Sequence, residues 1–349
     1  MKELFTVLLI SFVGTVFAQF HQPVFPNLRG EELAENLVRD FRPTSVLSSA
    51  DSKDVLYSEI YKLNDSVRCV YTNHALYLPE GVDPSIHLFM DQSADGINLE
   101  HTYPRSKGAD GNAGNDMHNL FPTRTPVNSD RGNLPFGEIV DSETEDWYFL
   151  NQKTRTIPTQ NIDKYSERGS GVFEPQESHK GNVARAMMYL YTIYEEQALA
   201  EDPLFFESQI NTFCEWHKLD PVDSLEWERT FLIANHQSGK ANPFVLDSTL
   251  TERLYCSVSS VQSSIENISE FEIFPNPGGA ELTVELVLNT SSDLKLTVFD
   301  LSGRKIQNII DGKLSAGQHT IPILFDYSGI VIFNLEIDGQ ILRKKVIKH

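Results

Sequence analysis

Residues 97–136 read INLEHTYPRSKGADGNAGNDMHNLFPTRTPVNSDRGNLPF, a stretch that packs ionisable, amide and glycine residues between two short apolar-flanked runs. Leu99–Tyr103 and His118–Phe121 have the length and flanking of short strands, and the segment around Gly108, Gly111 and Gly114 reads as loop. After Pro126, Val127–Arg131 reads as one helical turn opened by a proline in its first turn. Strand, loop, strand and short helix put Glu100 and His101 on one hairpin and let Asn128 approach from the helix, so that an oxygen-donor pair and an imidazole meet. A carboxylate with an amide oxygen is hard-cation chemistry, the kind that leaves Mg²⁺ most of its waters and a place for substrate phosphate. The adjacent imidazole can be the base.

Three ordered blocks carry a resemblance. Glu100-His101-Thr102-Tyr103-Pro104-Arg105-Ser106, Asp116-Met117-His118-Asn119-Leu120 with Pro122, and Val127-Asn128-Ser129-Asp130-Arg131-Gly132-Asn133 resemble the endonuclease I family, secreted or periplasmic ββα-metal nucleases of the His-Me finger class. Weaker echoes run from Asp51 to Leu250, including Lys180–Ala186, Asp220–Asp223 and Asn242-Pro243-Phe244. The resemblance implies His101 as general base, Glu100 and Asn128 as metal ligands, and one-metal cleavage of DNA, often of RNA as well. It departs in one place: some relatives carry a cysteine-bearing insertion with a phosphate-binding arginine after the histidine, and the loop here is too short for it. Arg105, Arg131 and Arg185 are the candidates for that role, while His118, Asn119 and Asn133 are expected to support the site. For Arg185 the structural reading, a core-edge salt bridge, is preferred over phosphate contact.

The implied fold class is α+β, a mainly helical nuclease domain around a ββα-metal core followed by a small all-β sandwich. At 349 residues the chain is long enough for two domains. A formal charge of −20 argues by itself against a polyanion partner. Between Glu100 and Asn133, however, four acids face four bases, and a divalent ion would tip that region positive. Affinity for nucleic acid should then depend strongly on salt.

Lys2, the apolar run Leu4–Phe17 and a Val16-Phe17-Ala18 ending form a secretory signal peptide, with cleavage expected after Ala18. The run is shorter than the ~18 residues of a membrane span, so no transmembrane segment is expected. The mature chain is expected to be exported and monomeric. Cys69, Cys214 and Cys256 allow at most one disulfide, for which Cys214 with Cys256 is the candidate.

Helical spacing marks Gly30–Phe41 and a second helix carrying Val55, Leu56, Ile60 and Leu63, with Tyr57 and Tyr61 on packed faces. Asp141–Glu177 reads as a strand or two within long surface loops, a candidate substrate-facing rim. Gly181–Ala198 is the clearest helix, with one stripe of Val183, Met187, Leu190, Tyr191 and Tyr194. Asp223 and Glu226 have capping-box spacing ahead of a helix turning Trp227, Phe231 and Ala234 inward. His74, His87, His179, His217 and His236 show no ligand spacing and read as ordinary polar positions.

Residues 19–256 thus form the nuclease part and Ser257–Glu270 a linker. Residues 271–349 read as short strands between Gly and Asn turns. This last part, from Phe274-Pro275-Asn276-Pro277 to a basic end, resembles the C-terminal (type A) sorting domain of type IX secretion, which implies secretion machinery as a partner and a secreted or cell-surface location. A carbohydrate-binding module is its alternative.

Together these readings describe a metal-dependent endonuclease with little sequence preference, using Mg²⁺, with Mn²⁺ or Ca²⁺ as other candidates, on DNA, with RNA as a second candidate substrate. Two rivals stay open: a zinc hydrolase built on His101 and His118, although no three-ligand set shows in the spacing, and a non-catalytic surface adhesin.

Overall fold

The computed structural model describes residues 20–89, 95–256, 267–275, 281–300, 304–327, 329–337 and 340–348. The residues expected to form a signal peptide and most of the expected linker lie outside them. Helix α1 spans Gly30–Phe41, as its periodicity predicts, and buries Leu33 and Leu37. Helix α2, Ser49–Val55, starts on a Ser48 cap whose side chain accepts from the Asp51 amide, and it runs on as a wider π-helical turn, Leu56–Ile60. Leu63 leaves the expected helix for a small sheet of β1 (Lys62–Leu63), β2 (Ser66–Arg68) and β3 (Ala75–Tyr77). Helix α3 is Pro84–Phe89.

The deciding stretch folds as strand β4 (Ile97–His101), a connection containing helix α4 (Asn112–Asn115), strand β5 (Leu120–Arg124) and helix α5 (Thr125–Arg131). β4 and β5 pair antiparallel, with Ile97 opposite Arg124 and His101 opposite Leu120. The order is the expected one with shifted boundaries. Thr102 and Tyr103 leave the ladder because Asn119 holds them: its carbonyl accepts from the Thr102 amide, and its side chain bonds both backbone groups of Tyr103. The glycine segment is not plain loop, since Arg105–Lys107, α4 and Met117–Asn119 are all helical turns.

Asp141–Glu177 contains more strand than its sequence suggests. β6 (Asp146–Phe149), β7 (Gln152–Thr154), β8 (Ser166–Gly169) and β9 (Val172–Glu174) form one antiparallel sheet in the order β7-β6-β8-β9. Helix α6, Lys180–Ile193, stops at Tyr194 rather than Ala198, and α7 follows over Glu195–Glu201. Its burial is all-round, the pattern of a central core helix rather than a one-stripe surface helix. At Gly181 an added Cβ would sit 1.9 Å from the Asp220 carbonyl oxygen, so only glycine lets α6 start against this backbone.

Helices α8 (Ile210–Leu219), α9 (Ser224–His236), α10 (Pro243–Leu246) and α11 (Leu250–Leu254) complete this part. Asp223 caps α9 by accepting from the Glu226 amide. The inward face of α9 is Glu226, Arg229, Thr230, Ile233 and Ala234, whereas Phe231 is 40% exposed, contrary to its expected inward position. Cys214 and Cys256 form the disulfide and Cys69 is a buried free thiol.

From Ile268 the chain is all β. One sheet is β10 (Ile268–Phe274), β11 (Glu281–Leu288) and β14 (Gly317–Leu324). The other, in order β13-β12-β15-β16, comprises β12 (Ser292–Asp300), β13 (Lys305–Leu314), β15 (Gly329–Ile337) and β16 (Gln340–Lys348). Alternation turns Leu282, Val284 and Leu286 inward against Leu296, Val298 and Phe333 in one core. β10 takes in Ser269 and Glu270, which the sequence leaves in the linker. No helix among the described residues is long and apolar enough to cross a membrane.

Candidate active site

Strand alternation sets Ile97, Leu99 and His101 on one face of β4 and Asn98 and Glu100 on the other. Helix α5 lies against the second face. Its Asn128 Nδ2 donates to Asn98 Oδ1 at 2.7 Å and to the Leu99 carbonyl at 2.9 Å, which leaves Asn128 Oδ1 without a partner among the described residues. One turn on, Arg131 reaches the same strand. The guanidinium is fully buried, lies 3.0 Å from Glu100 Oε1, and donates to the carbonyls of His101 at 3.1 Å and Thr102 at 2.7 Å.

Glu100 is 2% exposed and also accepts from the Tyr71 hydroxyl at 3.1 Å. Burial pushes its carboxyl up to about 7 against the opposing pull of Arg131 and Tyr71. Both bonds fall on Oε1, so Oε2 has no hydrogen-bond partner among the described residues. Glu100 and Asn128 therefore each keep one hard oxygen free on neighbouring elements. That donor chemistry fits a divalent cation such as Mg²⁺, which would also relieve the cost of keeping Glu100 ionised.

His101 opens the other way, into a cavity of about 650 Å³ lined also by Lys53, Tyr57, Phe89 and Arg105. Its Nε2 lies 2.9 Å from the Gly114 carbonyl oxygen. A carbonyl only accepts, so this nitrogen carries the proton and the neutral ring leaves Nδ1 as its lone pair. Burial, then the cations Arg105, Arg131 and Lys53, pull the imidazole down to about 4 while the Gly114 carbonyl opposes them, so the ring is neutral at pH 7. A Cβ on Gly114 would come within 2.9 Å of the Ala109 carbonyl oxygen, so the turn that presents this carbonyl needs glycine. Among the described residues no hydrogen bond joins His101 to the side chains of Glu100 or Asn128; Glu100 on β4 and Asn128 on α5 are both tied to one side of the hairpin, and the imidazole is on the opposite face of the strand.

The expected supporting residues are braces. His118 is buried, its Nε2 2.9 Å from the Lys240 carbonyl and its ring edge-on to Tyr189. Asn119 clips Tyr103, and Asn133 donates to Ser106 Oγ at 3.1 Å. With His118 turned to Lys240 and His101 to Gly114, the two rings do not form the zinc pair that the sequence left open. Of the three candidate arginines Arg105 is the exposed one, in a surface pair with Asp110 at 2.9 Å. Arg185 is fully buried in a two-pronged pair with Glu226 at 2.8 and 2.6 Å. Arg131 is likewise closed to solvent. His179 and His217 are buried rather than ordinary polar positions.

Sequence reasoning passed over Tyr71, Lys53 and Asp116. Asp116 is fully buried and accepts from Tyr189, Tyr194, Gln237 and the His118 amide. The signal for Asp116 was its place in the second block; Tyr71 and Lys53 carry no local mark.

The family model described as Endonuclease I matches residues 42–249, more than half of the chain. The chain belongs to the endonuclease I family. Among curated relatives, the extracellular ribonuclease of Bacillus amyloliquefaciens is 29% identical over 164 residues, which is 42% of this chain and 50% of the relative. The extracellular deoxyribonuclease of Aeromonas hydrophila is 32% identical over 131 residues, 37% of this chain and 48% of the relative. This endonuclease I family member thus spans about half the length of the curated relatives it matches. A second model, Secretion system C-terminal sorting domain, matches residues 272–349, the β part described above. That tail marks the protein as secreted or held at the cell surface.

Proposed function

We propose that the protein is a secreted metal-dependent endonuclease that hydrolyses phosphodiester bonds of DNA, and of RNA, with little sequence preference. The observation that carries this reading is the fixed His101 tautomer: Nε2 is held by the Gly114 carbonyl and Nδ1 is left to take a proton from water at the cavity. Glu100 and Asn128 would hold one Mg²⁺, or Mn²⁺ or Ca²⁺, which when bound supplies positive charge for the scissile phosphate. Arg131 favours the ionised form of Glu100 against burial and ties α5 to the end of β4. Nothing in the sequence resembles a recognition helix, and contacts to phosphate carry no sequence information. The relatives' names include both ribonuclease and deoxyribonuclease, which supports acceptance of either sugar. Residues 19–256 would act as the nuclease, as a monomer, and the β tail would engage the secretion machinery.

Incubating the full chain with plasmid, single-stranded DNA and RNA, with and without a chelator, tests the reading. Chelator-sensitive cleavage of at least one nucleic acid is expected. Intact substrates in the presence of Mg²⁺ and Mn²⁺ would favour the adhesin instead.

A further inference from the structure

Two of the three candidate arginines are buried in ion pairs, so a cation for the nucleic-acid backbone has to be sought elsewhere. Lys53 projects from α2, an element well before the hairpin, and lines the cavity that His101 opens into. Its ammonium has no ion-pair or hydrogen-bond partner among the described residues. Arg105 stands on the same cavity, half-committed to Asp110. Among the described residues lining the cavity none is an Asp or Glu, in a chain with 49 acids against 29 bases. Low-dielectric walls such as Tyr57, Phe89 and Leu99 focus the field of these cations, above all of the unpaired Lys53, on whatever enters.

We propose that Lys53 is a substrate-positioning residue: its ammonium, with Arg105, holds a phosphate of the nucleic-acid backbone across the cavity so that the neighbouring phosphodiester lies at His101. This rests on the nuclease reading above. Lys53 acts as a point charge on phosphate and adds no base preference. It is free in the structure because its partner is the substrate.

The test measures binding of the full-length His101→Ala protein to a short DNA duplex across a salt series in Ca²⁺, with Lys53→Ala and Lys53→Arg added in turn. Lys53→Ala should weaken binding several-fold and flatten the slope of log K against log salt by about 0.9, the loss of one phosphate contact. Lys53→Arg should restore the slope. Thermal stability should not move, since the ammonium holds nothing in the fold. In the active background, KM should rise with kcat changed less. A Lys53→Ala protein with the parent slope and affinity overturns the proposal while leaving the nuclease reading intact. No binding or cleavage by the wild-type chain overturns both.

Discussion

His101 Nε2 lies 2.9 Å from the carbonyl oxygen of Gly114, a residue 13 positions on in a helical turn of the hairpin connection. The contact fixes both the ring orientation and its proton, so the base is set by a turn that only glycine can make without crowding Ala109. Gly114→Ala should therefore lower cleavage by up to about 10²-fold, the scale set by misplacing a catalytic group by about an ångström. Steady-state rates alongside a melting curve check this; an unchanged rate would remove the carbonyl from the mechanism.

Arg131 should behave as a structural residue. Arg131→Ala leaves the Glu100 carboxylate buried without its cation, a loss of about 3–5 kcal/mol when one partner of a buried pair is removed. Denaturant unfolding measures it. A variant of wild-type stability with only weaker substrate binding would return Arg131 to the phosphate role.

The sequence offered Arg131 for phosphate, and the structure shows it buried beside Glu100. Local patterns were legible: α1 by its spacing, the α9 cap at Asp223, the hairpin and helix by their blocks, and the alternating β strands. Partnerships across long separations were not. Arg185 finds Glu226 41 residues away, and Lys180 finds Glu138 at a separation of 42, and neither partner is marked in the local sequence. The strands of Asp141–Glu177 were under-read because they are short and polar-interrupted. β4 and β5 were displaced by two residues because Asn119, not the ladder, holds Thr102 and Tyr103. Lys53 stayed silent because one lysine in a helix has no pattern.

Excess metal should separate the ligand residues from the base. Glu100→Ala and Asn128→Ala should raise the Mg²⁺ concentration needed for half-maximal rate, so that added metal restores part of the activity, whereas it restores none in His101→Ala. Metal titration of initial rates decides. Identical curves for both ligand variants and the wild type would undo the assignment of Glu100 and Asn128.

Acid should loosen the nuclease part through its buried histidines. Desolvation pulls His118 and His217 down to about 4 and His179 to about 3, all from an unfolded value of about 6.5. Between those limits the unfolded chain binds more protons, so this contribution is whole above about pH 6.5 and is lost as pH falls through the folded values. Glu167 and Glu174, raised to about 7 chiefly by burial, act oppositely and favour the fold as pH drops from 7 towards 4.5. His179 sits edge-on to Tyr71 and Phe121 with Nε2 unpartnered, so His179→Phe removes one proton site from an aromatic setting. The melting temperature of that variant should fall less steeply than wild type from pH 6.5 to 4. Parallel slopes would contradict the burial assignment.

The central claim, that the His101 imidazole is the base, is tested most directly by the rate of DNA cleavage in Mg²⁺ by a folded full-length His101→Ala protein. The ring makes one hydrogen bond and faces a cavity, so its loss should leave the melting temperature near wild type. Activity should drop by roughly 10²-fold or more, the scale of general-base help, with no recovery at high metal. Near-normal cleavage by that protein would contradict the account.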